Sequence, residues 1–269
     1  MNPSDVLTIA DELSERDLAI LRSLRGHRLV TTTQLRRLHL PTDSPDTRSA
    51  TRLTQRVLTR LEGRRLIARL YQRIGGVRRG ADSIVWQLAA TGDRLLSAMD
   101  GDKRRRYLEP RRAFIKHTVA VTELAVQLRE AVRAGQLDQV DLTPEPDNWH
   151  RFVGQHAQPE TLKPDLAAIA VTDDYEDHWL LERDLASEHP TVVVRKAYVY
   201  ERFVASGAYQ DQHGVVPAVL WVVPSSERKE TLQRALGRAR DLTPGMHRVV
   251  TDADFLPTVL AGTTPGLTD

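Results

Sequence analysis

The sequence predicts an α+β protein of two domains, and three observations support this. The chain of 269 residues is long enough for two cores. Apolar residues recur at helical spacing early on, whereas the second half alternates strand-length apolar runs with amphipathic helices. The charge changes sign: residues 1–116 carry 24 Lys and Arg against 13 Asp and Glu, a net charge of +11, while residues 117–269 carry 14 against 23, a net charge of −9. We expect a basic domain over 1–101, a basic linker over 102–116 and an acidic domain over 117–269.

Composition narrows the class of protein. Hydrophobic residues make up 41% of the chain and charged residues 28%, which is typical of a folded globular protein. The absence of cysteine excludes disulfides, thiolate zinc sites and a cysteine nucleophile. The N-terminus lacks the basic start of a signal peptide, and no apolar run reaches the ~18 residues of a membrane span. We therefore expect a cytoplasmic protein without membrane association.

Two helices are predicted at the start of the basic domain. Ser14 is followed three positions later by Asp17, which is the spacing of a capping box, and leucines recur at helical spacing behind it. This pattern predicts a first helix over 14–25. Thr33 can cap a second helix, which must end before Pro41.

A third helix, roughly 46–62, is predicted to present a polar and cationic face. We expect Leu53, Val57, Leu58 and Leu61 to form its buried side. On the opposite side lie side chains of the types that bond guanine, adenine and phosphate groups in DNA. The residues expected to contact DNA on this helix are Arg48, Ser49, Thr51, Arg52, Gln55 and Arg56, with Arg60 on the same side.

A hairpin is predicted behind the third helix. Residues 66–71 and 83–88 have strand composition, and a glycine-rich turn at 75–80 separates them. Three helices followed by such a hairpin form a winged helix-turn-helix domain, whose wing would bring Arg78 and Arg79 to a phosphate backbone or a minor groove. We expect double-stranded DNA as the partner. A further helix from Thr91 could support a homodimer.

In the acidic half, two carboxylates are expected to converge. A helix begins near His117, and strands over 166–171 and 178–181 are joined by a short turn. In an antiparallel pair the start of one strand faces the end of the next, which would bring Asp165 and Glu182 together. Oxygen ligands of this kind suit Mg²⁺ or Mn²⁺.

This pattern resembles the PD-(D/E)xK nuclease superfamily, in which Pro-Asp, a following Glu and a Lys surround a divalent metal. Asp165 matches the first acid and Glu182 the second, and both would be catalytic. Glu123, on the preceding helix, could correspond to an additional helical Glu of some members. The resemblance thus implies Glu123, Asp165 and Glu182 as ligands of Mg²⁺ or Mn²⁺, which would activate water against a phosphodiester.

The sequence departs from that superfamily at the lysine. Asp184 stands at the position expected for Lys. The resemblance implies Lys196 as the relocated catalytic cation on the next helix, with Arg183 a poorer candidate. Strands over 215–223 and 246–251 and a helix capped by Ser226 would complete an α/β restriction-endonuclease-like domain. Residues 136–160 are expected to form a strand fragment plus loops, with His150 and His156 on the surface.

Across residues 14–240 the chain resembles the replication-relaxation family of actinobacterial plasmids and integrative elements. The likeness rests on Leu13-Ser14-Glu15-Arg16-Asp17, the wing, the helix near His117, Pro164-Asp165, and Glu182 and Asp184 before a Lys-Tyr helix. The family usually has Glu-x-Asp-Arg-Gly-Thr-Glu, whereas Leu185-Ala186-Ser187-Glu188 follows Asp184 here. The resemblance implies a mobile-element protein that acts with other plasmid replication or transfer proteins.

The sequence is compatible with three functions. The chain could be a sequence-specific double-stranded DNA-binding protein that also nicks DNA with a metal ion. It could instead be a non-catalytic transcriptional regulator or replication accessory protein with a degenerate nuclease-like dimerisation domain. A scaffold that contacts only proteins is the third alternative, and the cationic third helix and wing disfavour it.

Overall fold

The computed structural model describes residues 9–40, 47–70, 84–101, 112–173 and 175–263. The chain forms two compact units, Met1–Val126 and Gln127–Asp269. Most of the linker expected at 102–116 lies outside the described residues, so the domain boundaries stay a prediction. None of the described helices has the length and apolar character needed to cross a membrane.

The helices of the first unit include α1 (Glu15–His27), α2 (Thr32–His39) and α3 (Thr47–Gly63). Ser14 and Asp17 cap α1 with reciprocal hydrogen bonds between side chain and backbone, which confirms the predicted capping box. The cap of α2 is Thr31 rather than Thr33. Thr31 has the extended backbone that an N-cap needs, and Gln34 completes a second capping box.

A small antiparallel sheet completes the first unit. It contains β1 (Val30–Thr31), β2 (Ile67–Leu70) and β3 (Val85–Leu88) in the order β1-β3-β2. The strands predicted behind the third helix therefore pair, with Ile67 opposite Leu88. Helix α4 (Ala90–Asp100) follows directly.

The helices and the sheet of this unit share one core. On α3 the buried side is formed by Ala50, Thr54, Val57, Leu58 and Leu61. The prediction for Leu53 was wrong, because this side chain is 40% exposed. Ala50 and Thr54 occupy the inward positions of the first turns instead, and the Thr54 hydroxyl donates a hydrogen bond of 2.8 Å to the carbonyl of Ala50. This backbone bond satisfies the buried hydroxyl.

The boundary between the two units lies within helix α5 (Arg112–Arg133). The second unit contains a mixed sheet of five strands. Its strands are β4 (Gln139–Pro144), β7 (Leu166–Val171), β8 (Glu176–Arg183), β9 (Ala218–Val223) and β10 (His247–Thr251). They lie in the order β10-β9-β8-β7-β4, with β4, β7 and β8 antiparallel and β8, β9 and β10 parallel. Helices α6 (Pro190–Ala205), α7 (Ala208–His213) and α8 (Ser226–Arg238) connect strands of this sheet, and α9 (Phe255–Leu260) follows β10.

The polar stretch 136–160 is more regular than predicted. Besides β4 it contains β5 (His150–Val153), which pairs with β6 (Pro159–Leu162) as a two-stranded ribbon. His150 is consequently a strand residue and not a surface loop residue. Its ring lies 4.8 Å from that of Phe203 on α6, measured between centroids. The cap of α8 is Ser225 and not the predicted Ser226.

Candidate nucleic-acid interface and carboxylate site

The outward face of α3 carries Arg52, Gln55 and Arg56, and all three side chains are exposed. Positions 52, 55 and 56 are spaced i, i+3 and i+4, so they lie on one side of the helix. These three side chains make no hydrogen bond or ion pair with another described residue. Their donors are therefore available to a partner.

The other residues predicted to contact DNA differ in exposure and in their contacts within the fold. Ser49 is exposed and Thr51 is half-buried on the same helix. The side chain of Arg48 lies outside the described residues, as do Arg78 and Arg79, which were predicted to lie in the turn of the wing. Arg60 is engaged within the fold, since its guanidinium donates hydrogen bonds of 2.6 Å to both carboxylate oxygens of buried Asp17.

In the second unit, Asp165 and Glu182 lie at the same end of the β7–β8 pair. Leu166 is opposite Leu181, so Asp165 precedes β7 where Glu182 nears the end of β8. The Asp165 carboxylate accepts a hydrogen bond of 2.7 Å from the backbone N–H of Arg183, and the Asp165 N–H donates to the carbonyl of Leu181. These backbone bonds fix Asp165 beside Glu182.

Glu182 is only 3% exposed, and two side chains of α6 hold its carboxylate. Lys196 Nζ lies 2.5 Å from Glu182 Oε2, and the Tyr200 hydroxyl donates to Glu182 Oε1. Burial raises the pKa of Glu182 to about 8; the positive charge of Lys196 opposes this rise, and repulsion by Asp165 adds to it. Glu182 thus has a pKa suited to exchanging a proton near neutral pH.

The contact of Tyr200 with Glu182 was not predicted from the sequence. Tyr200 follows Lys196 by four positions, so both side chains leave α6 on one face and reach the same carboxylate. Burial, together with the charge of Glu182, raises the pKa of Tyr200 well above its usual value. Tyr200 is therefore a hydrogen-bond donor at neutral pH. The Lys-Tyr spacing was the signal that could have revealed it.

The two charged residues that follow Glu182, Arg183 and Asp184, form ion pairs with other groups. Asp184, at the position expected for Lys, forms an ion pair of 2.6 Å with Arg228 of α8. Arg183 pairs with Asp252 at 2.6 Å and donates to the carbonyl of Val222. Of the two cations proposed from the sequence, Lys196 therefore contacts Glu182, whereas Arg183 contacts other groups.

Glu123 belongs to the first unit. Its carboxylate accepts a hydrogen bond of 3.0 Å from the Gln34 side chain and one of 2.5 Å from Arg37, both on α2. Within the described part of the chain, no group of three or more His, Cys, Asp or Glu side chains could hold a metal ion. The structure thus brings Asp165, Glu182 and Lys196 together and binds Glu123 to α2.

The profile of the replication-relaxation family matches residues 21–219 of the chain. The chain belongs to this family. Searches of curated proteins and of solved structures gave no match. Membership suggests a role in the replication or relaxation of a plasmid or another mobile element.

Both candidate sites fall inside the part that aligns with the replication-relaxation family. The match includes the whole of α3 and the segment from Asp165 to Tyr200. Arg228, which neutralises Asp184, lies beyond the matched residues. The family resemblance therefore covers the exposed face of α3 and the Asp165–Glu182–Lys196 cluster, but not the partner of Asp184.

Proposed function

We propose that this replication-relaxation protein binds double-stranded DNA sequence-specifically, with α3 lying in the major groove. The observation that carries the proposal is the exposed face of α3, where Arg52, Gln55 and Arg56 have no partner among the described residues. Buried Val57, Leu58 and Leu61 fix the opposite face in the core. The helix therefore presents one defined set of donors.

The topology of the first unit supports the assignment as a winged helix-turn-helix. Its elements follow the order α1, β1, α2, α3, β2, β3, and α3 is the third helix. In such domains this helix enters the major groove, and the hairpin behind it acts as a wing. An α-helix with side chains is ~10–12 Å wide, which fits a groove ~12 Å wide.

The chemistry of the face fits the edges of bases. An arginine can donate two hydrogen bonds to guanine O6 and N7, and a glutamine can bond adenine N6 and N7. Arg52 and Arg56 are one helical turn apart, so they would reach neighbouring base pairs. The net charge of +11 over residues 1–116 would draw the unit to DNA through release of counterions.

The test is a selection from a random duplex library, followed by titration of the enriched duplex. We expect tight, salt-sensitive binding to the enriched site and much weaker binding to a scrambled duplex of equal length. Equal affinity for both duplexes would remove sequence specificity from the proposal. Failure to bind either duplex at low salt would refute DNA binding altogether.

A second candidate function is metal-dependent nicking by the second unit. The order α5, β4, β7, β8, α6, β9, with three antiparallel strands and a parallel fourth, is the arrangement expected of a restriction-endonuclease-like core. Asp165 and Glu182 converge there with Lys196. Mg²⁺ is commonly bound by one or two carboxylates, waters and substrate phosphates, so this donor set fits the ion.

Asp165 and Glu182 would hold the ion, whose chemistry is to activate water and stabilise charge on the phosphate. Lys196 would stabilise the negative charge that develops on the phosphate, and Tyr200 would orient the Glu182 carboxylate. Supercoiled plasmid carrying the enriched site should be nicked with Mg²⁺ or Mn²⁺, and Asp165→Asn and Glu182→Gln should abolish nicking without weakening binding. Intact binding without any nicking would favour the non-catalytic regulator or accessory protein.

A further inference from the structure

Along each strand of the β5–β6 ribbon, exposed side chains alternate with less exposed ones, so the ribbon has an outward face. Phe152 and Leu162 point into the core, whereas Arg151 lies opposite Thr161 on the exposed side. Trp149 and Lys163 extend this exposed side by one position at the end of the ribbon. We call Trp149, Arg151, Thr161 and Lys163 the ribbon face.

Trp149 is 39% exposed, which is unusual among the tryptophans of this chain. The other three, Trp86, Trp179 and Trp221, are at most 3% exposed. Lys163 Nζ lies 4.1 Å from the centre of the Trp149 ring, a cation–π contact that orders both side chains at the surface. An indole held at the surface beside a cation is the arrangement by which proteins stack nucleobases and contact the attached phosphate.

The ribbon face adjoins the carboxylate site. Asn148, next to Trp149, donates a hydrogen bond of 2.8 Å from its side chain to the carbonyl of Pro164, the residue before Asp165. Lys163 is two positions from Asp165. Glu145, on the same loop as Trp149, acts electrostatically on Lys196. A chain bound on the ribbon face would therefore continue toward Asp165 and Glu182.

The charge of the ribbon face differs from that of its surroundings. Its outward positions 149, 151, 153, 159, 161 and 163 include one Arg and one Lys and no acidic residue. Residues 117–269 as a whole carry a net charge of −9. This local reversal of sign favours a polyanion over a basic protein segment.

We propose that the ribbon face binds single-stranded DNA, with an unpaired base stacked on Trp149 and its phosphates held by Lys163 and Arg151. An indole reaches the flat face of a base only when that base has left the duplex stack. The inference rests on the proposed function: the first unit would bind duplex DNA, and the second unit would bind an unpaired strand of the same DNA site.

The experiment uses the full-length protein, fluorescein-labelled dT20 and the enriched duplex. Anisotropy should show that Trp149→Ala weakens binding of dT20 by about 5- to 150-fold, the loss expected for one stacked base. Tyr175→Ala is the matched control, because Tyr175 is a 65% exposed aromatic residue of the same unit. Lys163→Gln should lower the slope of log affinity against log salt by about 0.7.

Tryptophan fluorescence gives an independent measurement, because Trp149 is the exposed tryptophan. Binding of dT20 should quench it, and Trp149→Phe should abolish this quenching. Wild-type affinity of Trp149→Ala and Lys163→Gln for dT20, equal quenching by a dT20–dA20 duplex, or preference for rU20 would each overturn the assignment. Loss of dT20 binding in Trp149→Ala, with duplex affinity insensitive to Arg52→Ala and Arg56→Ala, would instead uphold the inference and refute the α3 interface.

Discussion

Removing the two arginines of α3 should weaken duplex binding strongly while leaving the fold intact. Arg52 and Arg56 are exposed and make no hydrogen bond or ion pair with another described residue, so truncation creates no cavity and leaves no buried charge unpaired. An arginine that bonds guanine contributes about 1–3 kcal/mol. Arg52→Ala or Arg56→Ala alone should therefore reduce affinity for the enriched duplex by about 5- to 150-fold.

Lysine at the same positions separates base recognition from charge. Arg52→Lys and Arg56→Lys keep the positive charge but lose the forked donor geometry, so affinity for the scrambled duplex should be retained while specificity falls. Arg234→Ala is the matched control, because Arg234 is an exposed helical arginine of α8. Anisotropy titrations at several salt concentrations measure all these variants. An unchanged ratio of specific to scrambled affinity in both alanine variants would refute the reasoning.

Three further predictions concern stability. Because the pKa of Glu182 is raised to about 8 from 4.5, the folded protein binds more protons than the unfolded chain between these values. The free energy of unfolding should therefore fall from pH 5 to 8 relative to Glu182→Gln, and parallel urea-denaturation profiles would contradict this. Burial lowers the pKa of His150, with His213 contributing, so the free energy of unfolding should decrease as the pH falls below 6.5. Between pH 7 and 5, the thermal midpoint of His150→Phe should therefore fall less than that of the wild type. Arg228→Ala should cost about 3–5 kcal/mol, because it leaves the Asp184 carboxylate, whose side chain is 6% exposed, without its counterion, and Asp184→Asn should recover part of the loss in the double variant. Additive losses in that double variant would argue against a coupled pair.

Local sequence signals anticipated much of the fold. The spacing of Ser14 and Asp17 predicts the start of α1, and the apolar run 166–171 predicts β7, because caps and periodicity depend on nearby residues. Thr31 instead of Thr33 and Ser225 instead of Ser226 show the limit of this reasoning. Neighbouring hydroxyl residues have equal capping chemistry, and the backbone angle chooses between them.

Long-range ion pairs were not predictable from the sequence. Arg60 resembles the other arginines of α3, yet Asp17, 43 positions away, binds it. Glu123 was compared with a helical Glu that binds metal in some PD-(D/E)xK nucleases, but its carboxylate contacts Arg37. The register of β7 and β8, in contrast, follows from a short turn, so the proximity of Asp165 and Glu182 could be inferred.

Protection of guanine N7 from dimethyl sulfate tests the position of α3 most directly, because N7 lies in the major groove. Wild-type protein should protect particular guanines of the enriched duplex, and Arg52→Ala or Arg56→Ala should restore reactivity at one of them while the complex stays bound. Identical protection in wild type and both variants, under saturating protein, would contradict the account.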